Sequence, residues 1–185
     1  MLKSYFFIII EQIKRKEMIT QVMQDAINKQ IRREFYSANL YLAIAAYYHS
    51  MNLNGFANWM RIQAQEEMQH GMKFFDYLLD RDGKVEIGTI DPPPSEWKSP
   101  LDAFENALEH EKMITQHIND LADLAFEQKD HATSNLLQWF VDEQVEEEAT
   151  TGEIVDRLKL AGDAKAPLFM LDSELKGRKP GQEEA

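Results

Sequence analysis

Residues 55–83, "GFANWMRIQAQEEMQHGMKFFDYLLDRDG", set the reading of the whole chain. Phe56, Met60, Ala64, Gly71, Phe74 and Leu78 recur at helical spacing and form one apolar side. At about 100° per residue, Glu67 and His70 fall on that same side. The helix therefore aims a carboxylate and an imidazole into its own core face. What receives them has to come from the rest of the chain.

Outward from this stretch, Gly and Pro divide the sequence. One helix precedes it, from about Thr20 to His49, and ends in "SMNLNG". The quoted helix itself runs from about Gly55 to Arg81 and stops at "RDG". In "KVEIGTIDPPPSEWKSP", residues 84–100, three consecutive prolines forbid helix. Ser99 as N-cap and Pro100 at the first position open a third helix that reaches about Gln128. "KDHATS" turns the chain into a fourth, ending near Ala161–Gly162, and "APLFMLDSELKG" reads as a short fifth. Two helical hairpins joined by one long link predict an all-α protein. The expected architecture is an antiparallel four-helix bundle with a long crossover between helices 2 and 3 and a short fifth C-terminal helix.

The other three long helices repeat the anomaly. Glu34 sits within the stripe Met23, Ile27, Ile31, Ala38, Tyr41 and Ala45. Glu111 sits within Phe104, Leu108, Ile114, Ile118 and Ala122, and Gln144 and Glu147 sit among Leu137, Phe140, Val155 and Leu158. Each acid lies near the middle of its helix, so an up-down bundle brings them to a similar height. Burying a lone carboxylate costs several kcal/mol, and four would rival the roughly 5–15 kcal/mol of net stability a domain has. Buried salt bridges are the plain alternative, but Arg61, Lys73 and Lys112 project off the apolar stripes, and the first and fourth helices offer no cation on theirs. Two divalent cations balance four carboxylates, and the mixed oxygen and nitrogen donors suit iron or manganese and would accept zinc. Glu66, Glu143 and Glu146 flank this layer. They read either as a solvated acidic face or as a third, looser cation position.

Composition narrows the field. The chain has 185 residues, enough for one domain with a sizeable core, and a formal net charge of −12. That charge argues against nucleic acid or an anionic membrane as partner. The chain has no cysteine, which excludes disulfides, thiolate metal sites and cysteine nucleophiles. The apolar run Tyr5–Ile10 is too short for a signal-peptide core or a membrane span, so residues 1–17 read as an extension of unknown role, with Met18 an alternative start and the cytoplasm the expected compartment. Residues 18–175 form the bundle with its fifth helix. Residues 176–185 read as a polar tail, expected to fray.

"REFYSANLYLA", "QEEMQH", "EHEKMITQ" and "LLQWFVDEQVEEE" together resemble bacterial non-haem ferritin, over roughly Met18 to Leu175. Ferritin-like carboxylate bundles are the established example of this site type. The resemblance implies Glu34, Glu67 and His70 as ligands of one iron, with Glu67 bridging and Glu111 and Glu147 completing a second. It implies Gln144 as a neighbour that assists water or oxygen, Tyr41 beside the centre, and Glu66, Glu143 and Glu146, helped by Glu147, as a third iron site. Trp139 matches an aromatic near the centre, with packing its simplest role. The implied activity is oxidation of Fe(II) to Fe(III) by O2 or H2O2 and storage of ferric oxyhydroxide inside a homo-oligomeric, 24-subunit shell.

Three rival readings remain at this level. A haem-binding bacterioferritin would use a methionine at Met68, but its symmetric site would repeat Glu-x-x-His where this chain has Gln144-x-x-Glu147, so haem is not expected. A di-iron oxidase or peroxidase without storage of the rubrerythrin type would add a cysteine-ligated iron domain. A bundle needing metal only to fold is the third. His49, His110, His117 and His131 read as surface or capping residues.

Overall fold

The computed structural model describes residues 19–180; the extension 1–17, the alternative start Met18 and residues 181–185 lie outside the described part. Helices α1 (Gln21–Ser50) and α2 (Asn54–Asp80) form one hairpin, α3 (Pro100–Glu127) and α4 (His131–Ala161) a second, and α5 (Lys165–Leu175) is the short C-terminal helix. No strand occurs among the described residues.

The boundaries follow from capping chemistry. The Thr20, Ser99 and Asp130 side chains accept from the backbone N–H groups of Met23, Asp102 and Thr133, which satisfies donors that the first turn leaves open. Pro100 adds its preset φ at the start of α3. Helix α2 has no side-chain cap of its own. Asp172 of α5 provides one from a distance: its Oδ1 accepts from the N–H groups of Gly55 and Phe56 at 2.7 and 3.1 Å. This docking requires Gly55, because a Cβ there would stand 1.6 Å from the Asp172 carbonyl oxygen.

The crossover, residues 81–99, carries neither helix nor strand. Gln24, Asn28 and Arg32, one turn apart on α1, hold its first part. Gln24 accepts from the Lys84 N–H at 2.8 Å, and Asn28 bonds the Lys84 carbonyl and the Glu86 N–H at 2.9 and 2.7 Å. Arg32 donates to the Glu86 carbonyl at 3.3 Å.

The core has two parts. One gathers Tyr41, Tyr48, Phe56, Trp59 and Phe104 with Val155 and Leu158; the other gathers Ile27, Ile31, Phe74, Ile114, Leu137 and Phe140. Each fully buried large side chain contributes roughly 1.5–3 kcal/mol. Between the two parts lies the layer of acids, so apolar packing on both sides sustains a polar middle. Among the described residues, no helix is long and apolar enough to cross a membrane.

Candidate metal centre

All four long helices deliver a side chain to one level of the bundle. Glu34 of α1, Glu67 and His70 of α2, Glu111 of α3, and Gln144 and Glu147 of α4 are buried, none more exposed than the 6% of Glu147. The α1–α2 approach depends on Gly71. A Cβ there would meet the Phe35 ring at 2.5 Å and the Glu34 Cβ at 3.3 Å. A larger residue would push Glu34 away from Glu67 and His70.

Ligand atoms of Glu34, Glu67 and His70 lie within 4.8 Å of one another, and so do those of His70, Glu143 and Glu147. Glu111 is oriented by two neighbours: Tyr41 donates its phenol proton to Oε1, and the Gln144 amide lies 3.3 Å from Oε2. Gln144 also lies 3.3 Å from the Thr115 hydroxyl. Gln30 donates to Glu34 at 2.7 Å and accepts from Arg33 at 3.1 Å. Gln63 donates to Glu147 at 2.6 Å. The sequence reading did not single out Gln30 or Gln63, although each stands one turn before an acid on its own helix.

Burial dominates the titration of the site. It raises Glu34 to about 7, against the opposing bonds from Gln30 and Glu67. Burial, then the charges of Glu111, Glu34 and Glu147, hold Glu67 well above the usual carboxylate range. Burial, then Glu111 and Glu66, do the same to Glu147, opposed by Gln63 and Arg178. Glu111 is raised by burial while its bonds from Tyr41 and Gln144 pull it back. Burial, then Lys73, lower His70 to about 4, so its ring is neutral at pH 7 with a nitrogen lone pair to offer. Burial thus favours the protonated form of each carboxyl in the layer, and Glu67 Oε1 is buried with no hydrogen-bond partner among the described residues. Carboxylate oxygens with a neutral imidazole suit a first-row divalent ion, and that orphaned oxygen fits a ligand.

Comparison with known proteins places this geometry in a family. Residues 24–161 match the ferritin family, described as the ferritin-like domain. The chain belongs to the ferritin family. Among its relatives, "Bacterial non-heme ferritin" of Bacteroides fragilis is 45% identical over 158 residues, covering 85% of this chain and 98% of that protein. "Bacterial non-heme ferritin" of Staphylococcus saprophyticus is 40% identical over 161 residues, covering 87% of this chain and 96% of that one. A solved structure described as a novel open pore ferritin of Archaeoglobus fulgidus superposes with a TM-score of 0.86 at 50% identity, covering 87% of this chain and 99% of that chain.

Within this ferritin bundle the flanking acids are placed differently from one another. Glu143 Oε1 lies 4.0 Å from His70 Nε2. Glu146 is exposed on α4. Glu66 Oε2 accepts from Arg178 Nη2 at 3.0 Å. That pair differs from the sequence expectation, which puts residue 178 in a fraying tail. The segment folds back because Asn58 donates to the carbonyls of Leu175 and Arg178 at 3.4 and 3.2 Å, and because the guanidinium lies 4.7 Å from the Trp59 ring.

His110 also differs from expectation. It is buried rather than on the surface, its Nε2 2.7 Å from the Ser37 hydroxyl, because the small Ser37 leaves room for a ring between α1 and α3. Trp139 is 37% exposed, edge-on to His70 at 5.4 Å and covered by Lys73 Nζ at 3.1 Å. Met68 is exposed at 46%.

Proposed function

We propose that this protein is an iron-storage ferritin that oxidises Fe(II) to Fe(III) at an intrasubunit di-iron centre and keeps the ferric product as oxyhydroxide mineral. The observation that carries the reading is the single buried layer of Glu34, Glu67, His70, Glu111 and Glu147 between two apolar cores. The names of the relatives, bacterial non-heme ferritins, support it independently.

In this reading Glu34, Glu67 and His70 receive one ferrous ion, Glu67 bridges, and Glu111 and Glu147 complete the second position. Two ferrous ions supply one electron each. With two protons they reduce O2 to H2O2, or H2O2 to two molecules of water. Incoming cations displace the protons that burial keeps on Glu34 and Glu67, so uptake near pH 7 releases acid. Tyr41 fixes Glu111 by donating to it, and its own proton stays in place because burial, then Glu111, raise the phenol well above its usual value. Gln144 points an amide toward the same carboxylate and positions water or oxygen beside it. Glu66, Glu143 and Glu146, with Glu147, form a third and looser iron position on the way out. The chain assembles with copies of itself into a 24-subunit shell in the cytoplasm.

Aerobic loading with ferrous iron tests the proposal. The expected result is retention of tens of iron atoms or more per chain in a soluble particle, far beyond what side chains ligate. Saturation at two or three would refute storage and leave a di-iron oxidase. No oxidation above the buffer rate would refute the centre itself.

A further inference from the structure

Among the described residues, one cation reaches the edge of the acid layer from outside its four helices. Arg178 follows α5, is 112 residues from its partner in sequence, and arrives with its side chain only 11% exposed. Its Nη2 donates to Glu66, the acid next to the bridging candidate Glu67. Its charge favours the ionised form of Glu147, while the charge of Glu66 opposes it. The guanidinium thus bonds directly to one of the acids assigned above to the third cation position.

Its attachment is incomplete. Among the described residues, Nε and Nη1 of Arg178 are buried with no hydrogen-bond partner. Each unsatisfied buried donor carries a desolvation cost comparable to what a charged hydrogen bond returns. The side chain is held by one ion pair and by the face of Trp59, and its backbone by the Asn58 bond to the Arg178 carbonyl. A structural salt bridge built for stability would use the full guanidinium fork. This one is matched in charge and poor in geometry, which is what a displaceable counter-ion requires.

We infer that Arg178 is a built-in competitor for the third cation: its guanidinium neutralises Glu66 until a divalent ion arrives, and that ion binds only by releasing Arg178 and its strap, residues 176–180. Arg178 is then a positioning residue. It acts through Glu66 and sets how tightly the exit position holds a cation relative to the two central ones. This rests on the di-iron reading above.

The test uses the assembled, metal-free protein and Zn2+, which undergoes no redox reaction. Calorimetric titration of the wild type and of Arg178→Gln compares the third equivalent per chain with the first two. Loss of the competitor tightens the third equivalent by about tenfold relative to the first two, with Arg178→Lys in between. In the wild type, passing from two to three equivalents speeds amide hydrogen exchange in residues 176–180, because the strap is released. This second readout stands even if the variant folds poorly. A third equivalent that is unchanged or weaker in Arg178→Gln, absent from both proteins, or without effect on strap exchange overturns the inference. If the wild type instead lacks two tight equivalents that Glu67→Gln abolishes, it is the di-iron reading that fails.

Discussion

Replacing Glu34 by Gln separates the cost of the acid layer from its use. In the folded chain Glu34 ionises at about 7 instead of 4.5, chiefly because it is buried. Below pH 4.5 folded and unfolded chains both carry this proton. Between 4.5 and 7 the unfolded chain has lost it while the folded chain keeps it, so stability falls as pH rises; above about 7 the loss is complete. At 1.36 kcal/mol per pH unit, that interval amounts to roughly 3 kcal/mol. His70 and His110 act in the opposite sense. Each is lowered by burial to about 4 from 6.5, so each adds stability as pH rises through that interval.

The total profile mixes these terms, but the difference between Glu34→Gln and the wild type cancels the histidines and leaves the acid together with its effect on Glu67. Metal-free protein, melted at equal chain concentration between pH 5 and 8, checks it. The variant gains about 6–12 °C on the wild type over that range, most of it below pH 7. Added Zn2+ at a hundredfold excess over its Kd stabilises the wild type by about 2.7 kcal/mol and the variant far less. A difference that stays flat with pH would show that Glu34 titrates normally, and an equal response to Zn2+ would show that it is not a ligand. Either result refutes the reasoning.

Three other outcomes follow from single contacts. His70→Ala removes the imidazole from both three-residue clusters, so equilibrium dialysis finds one tight Zn2+ per chain in place of two and ferrous oxidation slows at least about tenfold. Tyr41→Phe leaves Glu111 with the Gln144 amide alone; a melting curve shows a loss of about 1–2 kcal/mol, and unchanged stability would mean the phenol contributes nothing. Gly71→Ala sets a methyl 2.5 Å from the Phe35 ring, costs about 1–3 kcal/mol on melting, and weakens Zn2+ uptake by parting Glu34 from Glu67.

Much of this was open to reading from the sequence, because the signals are local. Thr20, Ser99, Pro100 and Asp130 mark helix starts by bonds or ring geometry within a few residues, and three prolines in a row leave no doubt about the crossover. An acid in an apolar stripe is visible because helical periodicity alone puts it there, and Glu34, Glu67, Glu111 and Glu147 are all buried as that periodicity requires. His110 lay within reach of the same argument. It stands four residues before Ile114 and borders the stripe, but its burial needs the small Ser37 opposite.

The sequence by itself thus determined the four long helices, their order, the short fifth helix and the inward acids, since each rests on spacing within one element. Only the tertiary structure decided which groups meet across elements. Asp172 caps α2 from 117 residues away, Gln63 reaches Glu147 from another helix, and Arg178 returns to Glu66. No periodicity encodes such pairs, because they depend on how α5 docks on the end of α2 and on the close backbone approach that Gly55 permits there.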